Sequence, residues 1–204
     1  VEAAADLEKF VLSEGQNGED ELLRCRALGF KYEFRSTSFF QANSSLIEPL
    51  VNFATGGFSG AKALDLYCGV GLFTLPLAKQ FDTVIGVEGA IESIELARAN
   101  AERNVISNVE FVQSSVKSFV GSKQAEQVDL VLLDPPRSGT EKGTIERIAE
   151  LRPKAIAYVS CDPSMLARDL RVLLDAGYKL DELKAFDLFP QSHHVETVAK
   201  LSRN

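Results

Sequence analysis

From Ala61 to Arg203 the chain alternates two hydrophobic patterns. Short runs that are apolar at nearly every position, "AKALDLYCG", "DTVIGVEG", "NVEFVQSS", "VDLVLLDPP" and "KAIAYVSC", have the length and content of buried strands. Between them, "LFTLPLAKQ", "AIESIELARANAERN", "GTIERIAEL" and "PSMLARDLRVLLDAG" place apolar residues at helical spacing, and Gly177 stands at the stop position of the last. Strands apolar on both faces, separated by helices, predict an α/β fold with a mostly parallel sheet covered by helices on both sides. The end of the chain differs. "YKLDELKAFDLF" and "VETVAKLSR" are two strand patterns joined by "PQSHH" with no helix between, which predicts a terminal antiparallel hairpin. Before Ala61, "KYEFRSTSFFQA" reads as one or two strands, "NSSLIEPLVNFA" as a capped amphipathic helix and "TGGFSG" as a turn. Residues 1–40 read as a remnant of an N-terminal or linking segment, and 41–204 as the main domain.

Length and composition narrow the class. A chain of 204 residues that is 45% hydrophobic can core one domain with a small appendage. No apolar run approaches bilayer-spanning length and "VEAAADLEKF" has no signal-peptide blocks, which points to the cytoplasm and away from membranes. Cys25, Cys68 and Cys161 are widely spaced and odd in number, as expected of reduced thiols and not of a disulfide frame or a metal knot. Twenty-two basic against 29 acidic residues give a net charge of -7, which argues against a free-standing nucleic-acid binder. Locally the balance reverses, because Arg24, Arg26, Lys31 and Arg35 cluster near the N-terminus, and Arg168 and Arg171 share a helix.

Four stretches carry chemistry. In "DLYCGVGLFT", Gly69 and Gly71 lie between a strand and a helix, where glycines admit a ligand to the backbone and the helix start offers N–H groups. Glu88 ends the next strand, placed to accept ribose hydroxyls. Together they point to an adenosine-containing cofactor, and Thr74, standing where a dinucleotide fingerprint has its third glycine, favours S-adenosylmethionine over NAD. "LLDPPRSG" puts Asp134 at the carboxyl end of a strand, the ligand edge of open α/β sheets. Its Asp-Pro-Pro resembles the Asp/Asn-Pro-Pro-aromatic loop of amino-methyltransferases, with Arg137 in the aromatic position. In "AIAYVSCDPSML", Asp162 and Pro163 form an N-cap and first turn, so Cys161 occupies a strand-to-helix corner where the helix dipole favours a thiolate, although this segment alone reads more readily as placing a small buried hydrophobe there. In "FPQSHHVET", His194 and Glu196 face the same way within a strand, which aims Glu196 at the cleft of Cys161. A His-His metal site and a Cys161-His193 or Cys161-His194 hydrolase are further readings of these residues; the hydrolase would leave the adenosine motifs without a role.

Taken in order, "FFQAN", "DLYCGVGLFTLPLA", "VEG", "LLDPPRSG", "YVSCDPSMLARDL" and "FPQSHHVET" closely resemble the S-adenosylmethionine-dependent RNA uracil-C5-methyltransferases. The resemblance spans residues 39–204 and implies a class I methyltransferase (Rossmann-like) fold and 5-methyluridine formation in ribosomal or transfer RNA. It implies that Cys161 is the nucleophile and Glu196 the general base. Gln41, Asp65, Tyr67, Gly69, Gly71, Glu88 and Asp134 would serve the cofactor, and Phe40 and Arg137 the substrate. Asp162 departs from the family's asparagine and places a negative charge beside Cys161, opposing thiolate formation. Members generally carry an N-terminal RNA-binding domain, often with an iron-sulfur region, that would precede Val1. The chain is therefore expected to be the catalytic domain of a longer enzyme. N-methylation through "DPPR", or cofactor binding without catalysis, are the alternatives.

Overall fold

The structure, a computed structural model, describes residues 22–35, 44–188 and 195–203. Phe40, Gln41, Phe189, His193 and His194 lie outside them. Strands β1 (Leu22–Ala27) and β2 (Phe30–Arg35) form an antiparallel hairpin. Helix α1 (Ser44–Thr55) leads to strand β3 (Gly60–Leu66), helix α2 (Thr74–Leu77), strand β4 (Phe81–Glu88), helix α3 (Ile91–Arg103) and strand β5 (Val109–Gln113). Helix α4 (Val116–Phe119), strand β6 (Leu130–Leu133), helix α5 (Thr144–Glu150), strand β7 (Ala155–Ser160) and helix α6 (Pro163–Asp175) follow, then strands β8 (Tyr178–Phe186) and β9 (Glu196–Arg203).

The main sheet has the order β5-β4-β3-β6-β7-β9-β8. Pairs from β5 to β7 are parallel, and β9 is antiparallel to both β7 and β8. The expected terminal hairpin is present, with its second strand inserted against β7. Apolar residues feed two cores because successive side chains leave opposite faces. Leu130 and Leu132 pack with α1 and α3, whereas Val131 and Leu133 pack with α4, α5 and α6. The strands read as uniformly apolar because both faces are covered.

Two local readings change. The helix expected over "LFTLPLAKQ" shrinks to the four residues of α2. Pro76 removes an N–H from it, and the chain leaves through tight bonds from Lys79 N to Pro76 O and from Gln80 N to Leu77 O. Residues 22–35, expected within a linking remnant, put Ala27, Phe30 and Tyr32 into the same core as α1 and α3. No helix among the described residues is long and apolar enough to cross a membrane.

Candidate active site

The chain runs from β3 outward to β5, then returns to β6 on the other flank of β3, so the sheet has a switch point between β3 and β6. Ligands bind open α/β sheets at the carboxyl ends of strands beside such a point. A cavity of about 700 Å³ lies there. β3 delivers Tyr67 and Gly69, β4 delivers Glu88, β6 delivers Asp134, and β7 delivers Cys161, all at strand ends. β9 runs the other way, so its first residue, Glu196, reaches the edge where β7 ends; Ser160 pairs with Thr197.

One wall is a braced loop. Gly69 and Gly71 have φ of 52° and 93°, and Tyr67, with φ of 63°, holds a left-handed conformation that is costly for a bulky side chain. The loop is tied at Cys68 N to Val87 O (3.0 Å) and at Gly71 N to Cys68 O (2.9 Å). Gly69 N donates to one oxygen of Glu88 at 3.2 Å, and Ala90 N donates to the other at 3.0 Å. From behind, Tyr32 donates its hydroxyl to Leu72 O at 3.2 Å, and Asn100, fully buried, donates to Val70 O at 3.1 Å. Val70, Leu72 and Phe73 line the cavity. A side chain at Gly69 would meet nothing within 4 Å, so the space beside this backbone is open.

Gly71 and Asp65 take different places from those nearest the cavity. The α-carbon of Gly71 faces Phe111 and Ala97, and its positive φ is what requires glycine. Asp65 is wholly buried beneath the loop, where Thr74 donates its hydroxyl to one carboxyl oxygen while the other has no partner. Burial pushes this carboxyl up to about 7, and Glu88 adds to the rise against the Thr74 hydrogen bond.

The opposite wall carries the reactive groups. Asp134 N–H donates to Leu66 O at 3.2 Å, and the residue opens the loop Pro135-Pro136-Arg137-Ser138, all on the cavity. Gly139 N closes a turn on Pro136 O, and Thr140 donates to the buried Asp169, which also accepts from Tyr158 and Arg168. Burial raises the Asp134 carboxyl well above the carboxylate range, with added pushes from Glu196 and Asp65. Glu196 is 1% exposed, its Oε1 has no hydrogen-bond partner, and burial raises it to about 7.

Cys161 lies at the corner that its sequence announces. Asp162 caps α6 by accepting from Ser164 N at 2.8 Å and Met165 N at 3.2 Å. The expectation that the helix start lowers the thiol is corrected. Burial raises it, Glu196 and then Asp134 add to the rise, and Arg137 and a backbone N–H pull the other way without reversing it. The carboxylates that act on the thiol are therefore cavity groups from β9 and β6. The bracing residues Tyr32 and Asn100 and the anchor Asp169 were missed, because each bonds to a partner far away in sequence. The buried polar position of Asn100 on an otherwise apolar helix face was the one available signal. Among the described residues no group of three or more His, Cys, Asp or Glu could hold a metal, and all three cysteines are free.

The chain resembles the 23S rRNA (uracil(1939)-C(5))-methyltransferase RlmD of Haemophilus influenzae, with 42% identity over 175 residues, 83% of this chain and 40% of that protein. The corresponding protein of Shewanella sediminis is 43% identical over 173 residues, 83% of this chain and 39% of it. The crystal structure of Pyrococcus abyssi tRNA (uracil-54, C5)-methyltransferase in complex with S-adenosyl-L-homocysteine superposes with a TM-score of 0.79 at 38% identity, covering 89% of this chain and 44% of that one. The chain thus spans about 40% of the length of these curated relatives. With the family described as tRNA (Uracil-5-)-methyltransferase matching residues 5–204, the chain belongs to the tRNA (uracil-5-)-methyltransferase family.

Proposed function

We propose that this chain is the catalytic part of an enzyme that methylates C5 of a uridine in ribosomal or transfer RNA, with S-adenosylmethionine as donor. The observation that carries this reading is the convergence of Cys161, Glu196 and Asp134, from three strands, on the cavity whose other wall is the Gly69 loop and Glu88.

The residues present suit that donor. Each Glu88 oxygen accepts one backbone N–H and keeps a further lone pair for a ribose hydroxyl. The open space beside Gly69 admits an amino-acid or adenosine portion against bare backbone. Glu88, Asp134 and Glu196 line the cavity with carboxyl oxygens, acceptors that suit the polar groups of the donor. Tyr67, Gly69 and Glu88 are assigned to the cofactor; Asp65 and Gly71 are assigned to holding the loop, and Arg137 to the substrate. S-adenosylmethionine supplies an electrophilic methyl group.

The uracil C5 carbon is too weak a nucleophile to accept that methyl unaided. Cys161, as thiolate, adds through sulfur to C6, and the electron pair of the C5–C6 double bond becomes an enolate with density at C5. C5 takes the methyl. Glu196 then removes the C5 proton, the double bond re-forms, and the Cys161–C6 bond breaks to return the thiolate. A carboxyl raised to about 7 by burial is basic enough for this task, which an ordinary surface glutamate is not. A uridine in a stacked strand must be flipped out, at a cost of about a few kcal/mol.

The test uses an RNA carrying 5-fluorouridine, whose fluorine cannot leave as a proton. After incubation with S-adenosylmethionine, mass spectrometry should show an RNA adduct on Cys161 that Cys161→Ala lacks. Methylated product without an adduct, or full activity in Cys161→Ala, would overturn the reading in favour of N-methylation. Cofactor binding with neither product nor adduct in the intact protein would leave only a binding module.

A further inference from the structure

The outer face of the β1–β2 hairpin takes no part in that chemistry. In its register Leu22, Arg24 and Arg26 stand opposite Arg35, Glu33 and Lys31, so these six share one face while Phe30 and Tyr32 point into the core. The carboxylate of Glu33 is taken up by two guanidinium groups, Arg24 at 2.9 Å and Arg103 of α3. Beside this cluster, Arg26 and Lys31 add two further positive charges to the face, in a chain whose total is -7. Arg26 and Lys31, both exposed, are a directly opposed like-charge pair. Such a pair destabilises a hairpin, so the arrangement suits an anion that would lie across it.

The inner side ties the face to the cavity. Asn100 accepts Glu33 N–H at 2.8 Å and donates to both Glu33 O and Val70 O. Tyr32 bonds to Leu72 O, and Asn104 exchanges two hydrogen bonds with the Lys31 backbone. Val70 and Leu72 line the cavity, so the hairpin stands one layer behind its wall.

Building on the RNA reading above, we infer that this face is a phosphate platform for the RNA substrate, holding the strand in register with the methyl-donor loop. Phosphate contacts of this kind position a nucleic acid without reading its bases.

The test compares the intact protein with its Arg26→Gln/Lys31→Gln variant, using a short single-stranded RNA containing the methylatable uridine. Binding is measured by fluorescence anisotropy from 50 to 200 mM salt, and methyl transfer by steady-state kinetics. Each phosphate contact to single-stranded RNA is worth about five-fold at 0.1 M salt, so the double variant should bind roughly 25-fold more weakly, with a salt slope shallower by about 1.4. KM for RNA should rise while kcat and S-adenosylhomocysteine affinity hold, and the melting temperature should hold or rise because the like-charge repulsion is gone. Unchanged affinity and slope would overturn the platform while methylation by the parent left the catalytic reading intact. An equal loss in the Lys117→Gln/Lys123→Gln variant, which removes the same charge elsewhere, would also overturn it. Salt-dependent binding that the double variant loses, without any methylation by the parent, would support the platform and sink the catalytic reading.

Discussion

The loop that runs from Tyr67 to Phe73 and the wall formed by Asp134, Cys161 and Glu196 face each other across one cavity, yet their polar groups are treated in opposite ways. On the loop side the Val70 and Leu72 carbonyls, the Gly69 amide and both Glu88 oxygens have partners before any ligand arrives. On the reactive side Glu196 Oε1 is buried without a partner, and Asp134, Cys161 and Glu196 all have raised pKa values. A satisfied polar network is rigid and stabilising, whereas unpaired buried groups cost free energy. The backbone of the loop wall is braced throughout, with the Tyr67 hydroxyl left without a partner, whereas on the other wall it is a carboxyl oxygen, Glu196 Oε1, that is buried unpaired.

Substitutions on the two walls should therefore differ in stability as well as in activity. Glu196→Gln removes the proposed base and should lower turnover roughly 10²- to 10⁴-fold, while the proposed Cys161–RNA adduct accumulates with ordinary RNA. Because burial opposes the charged form, the same variant should melt higher than the parent at pH 8 without ligand. A lower melting temperature there would remove the contrast between the walls. Glu88→Ala is expected to act in reverse. Losing a charge-assisted hydrogen bond is worth about 1.5–3 kcal/mol, so cofactor should bind roughly 10- to 150-fold more weakly by calorimetry. The Gly69 and Ala90 amides lose their acceptor, and the melting temperature should fall, whereas kcat at saturating cofactor should change little.

The smallest effect concerns a second unpaired group on the loop side besides the Tyr67 hydroxyl, the buried carboxyl of Asp65. Its folded pKa of about 7 lies above its unfolded value near 3.8, so the folded chain binds this proton more tightly. The associated stability is complete below about pH 4 and is lost as pH rises through about 7. Glu196, raised from 4.5 to about 7, acts in the same direction. The melting temperature of the ligand-free protein should fall between pH 4 and pH 7, and Asp65→Asn should make that fall shallower. An unchanged profile in the variant would show that Asp65 is charged in the folded chain. Under the proposed mechanism turnover should instead rise through pH 7, because there Glu196 acts as carboxylate and Cys161 as thiolate.

The strands were legible because burial on both faces writes the same apolar run at every position, and the cap of α6 because Asp162 and Pro163 act within one turn. The direction of the Cys161 shift was not. Burial is its largest cause, and the charges that add to it come from Glu196, 35 residues later, and Asp134, 27 residues earlier. They reach the thiol through strand order, which no local pattern states. The hairpin was hidden for the same reason, since Tyr32 and Glu33 meet partners 40 to 67 residues away. The site expectations at Phe40 and Gln41 lie outside the described residues.

The position of β9 also sets an order of assembly. It follows β8 in the chain but lies between β7 and β8, and among the described residues β8 has no other partner in the sheet. As the ribosome extends the chain, β8 emerges with no neighbour to pair with, and β7 keeps an open edge until the residues of β9 are made and slide between them. The same insertion brings Glu196 to Cys161. A nascent chain can thus acquire its thiol corner and its Gly69 loop first and Glu196 last, so under the proposed mechanism methyl transfer would begin only once the sheet has closed.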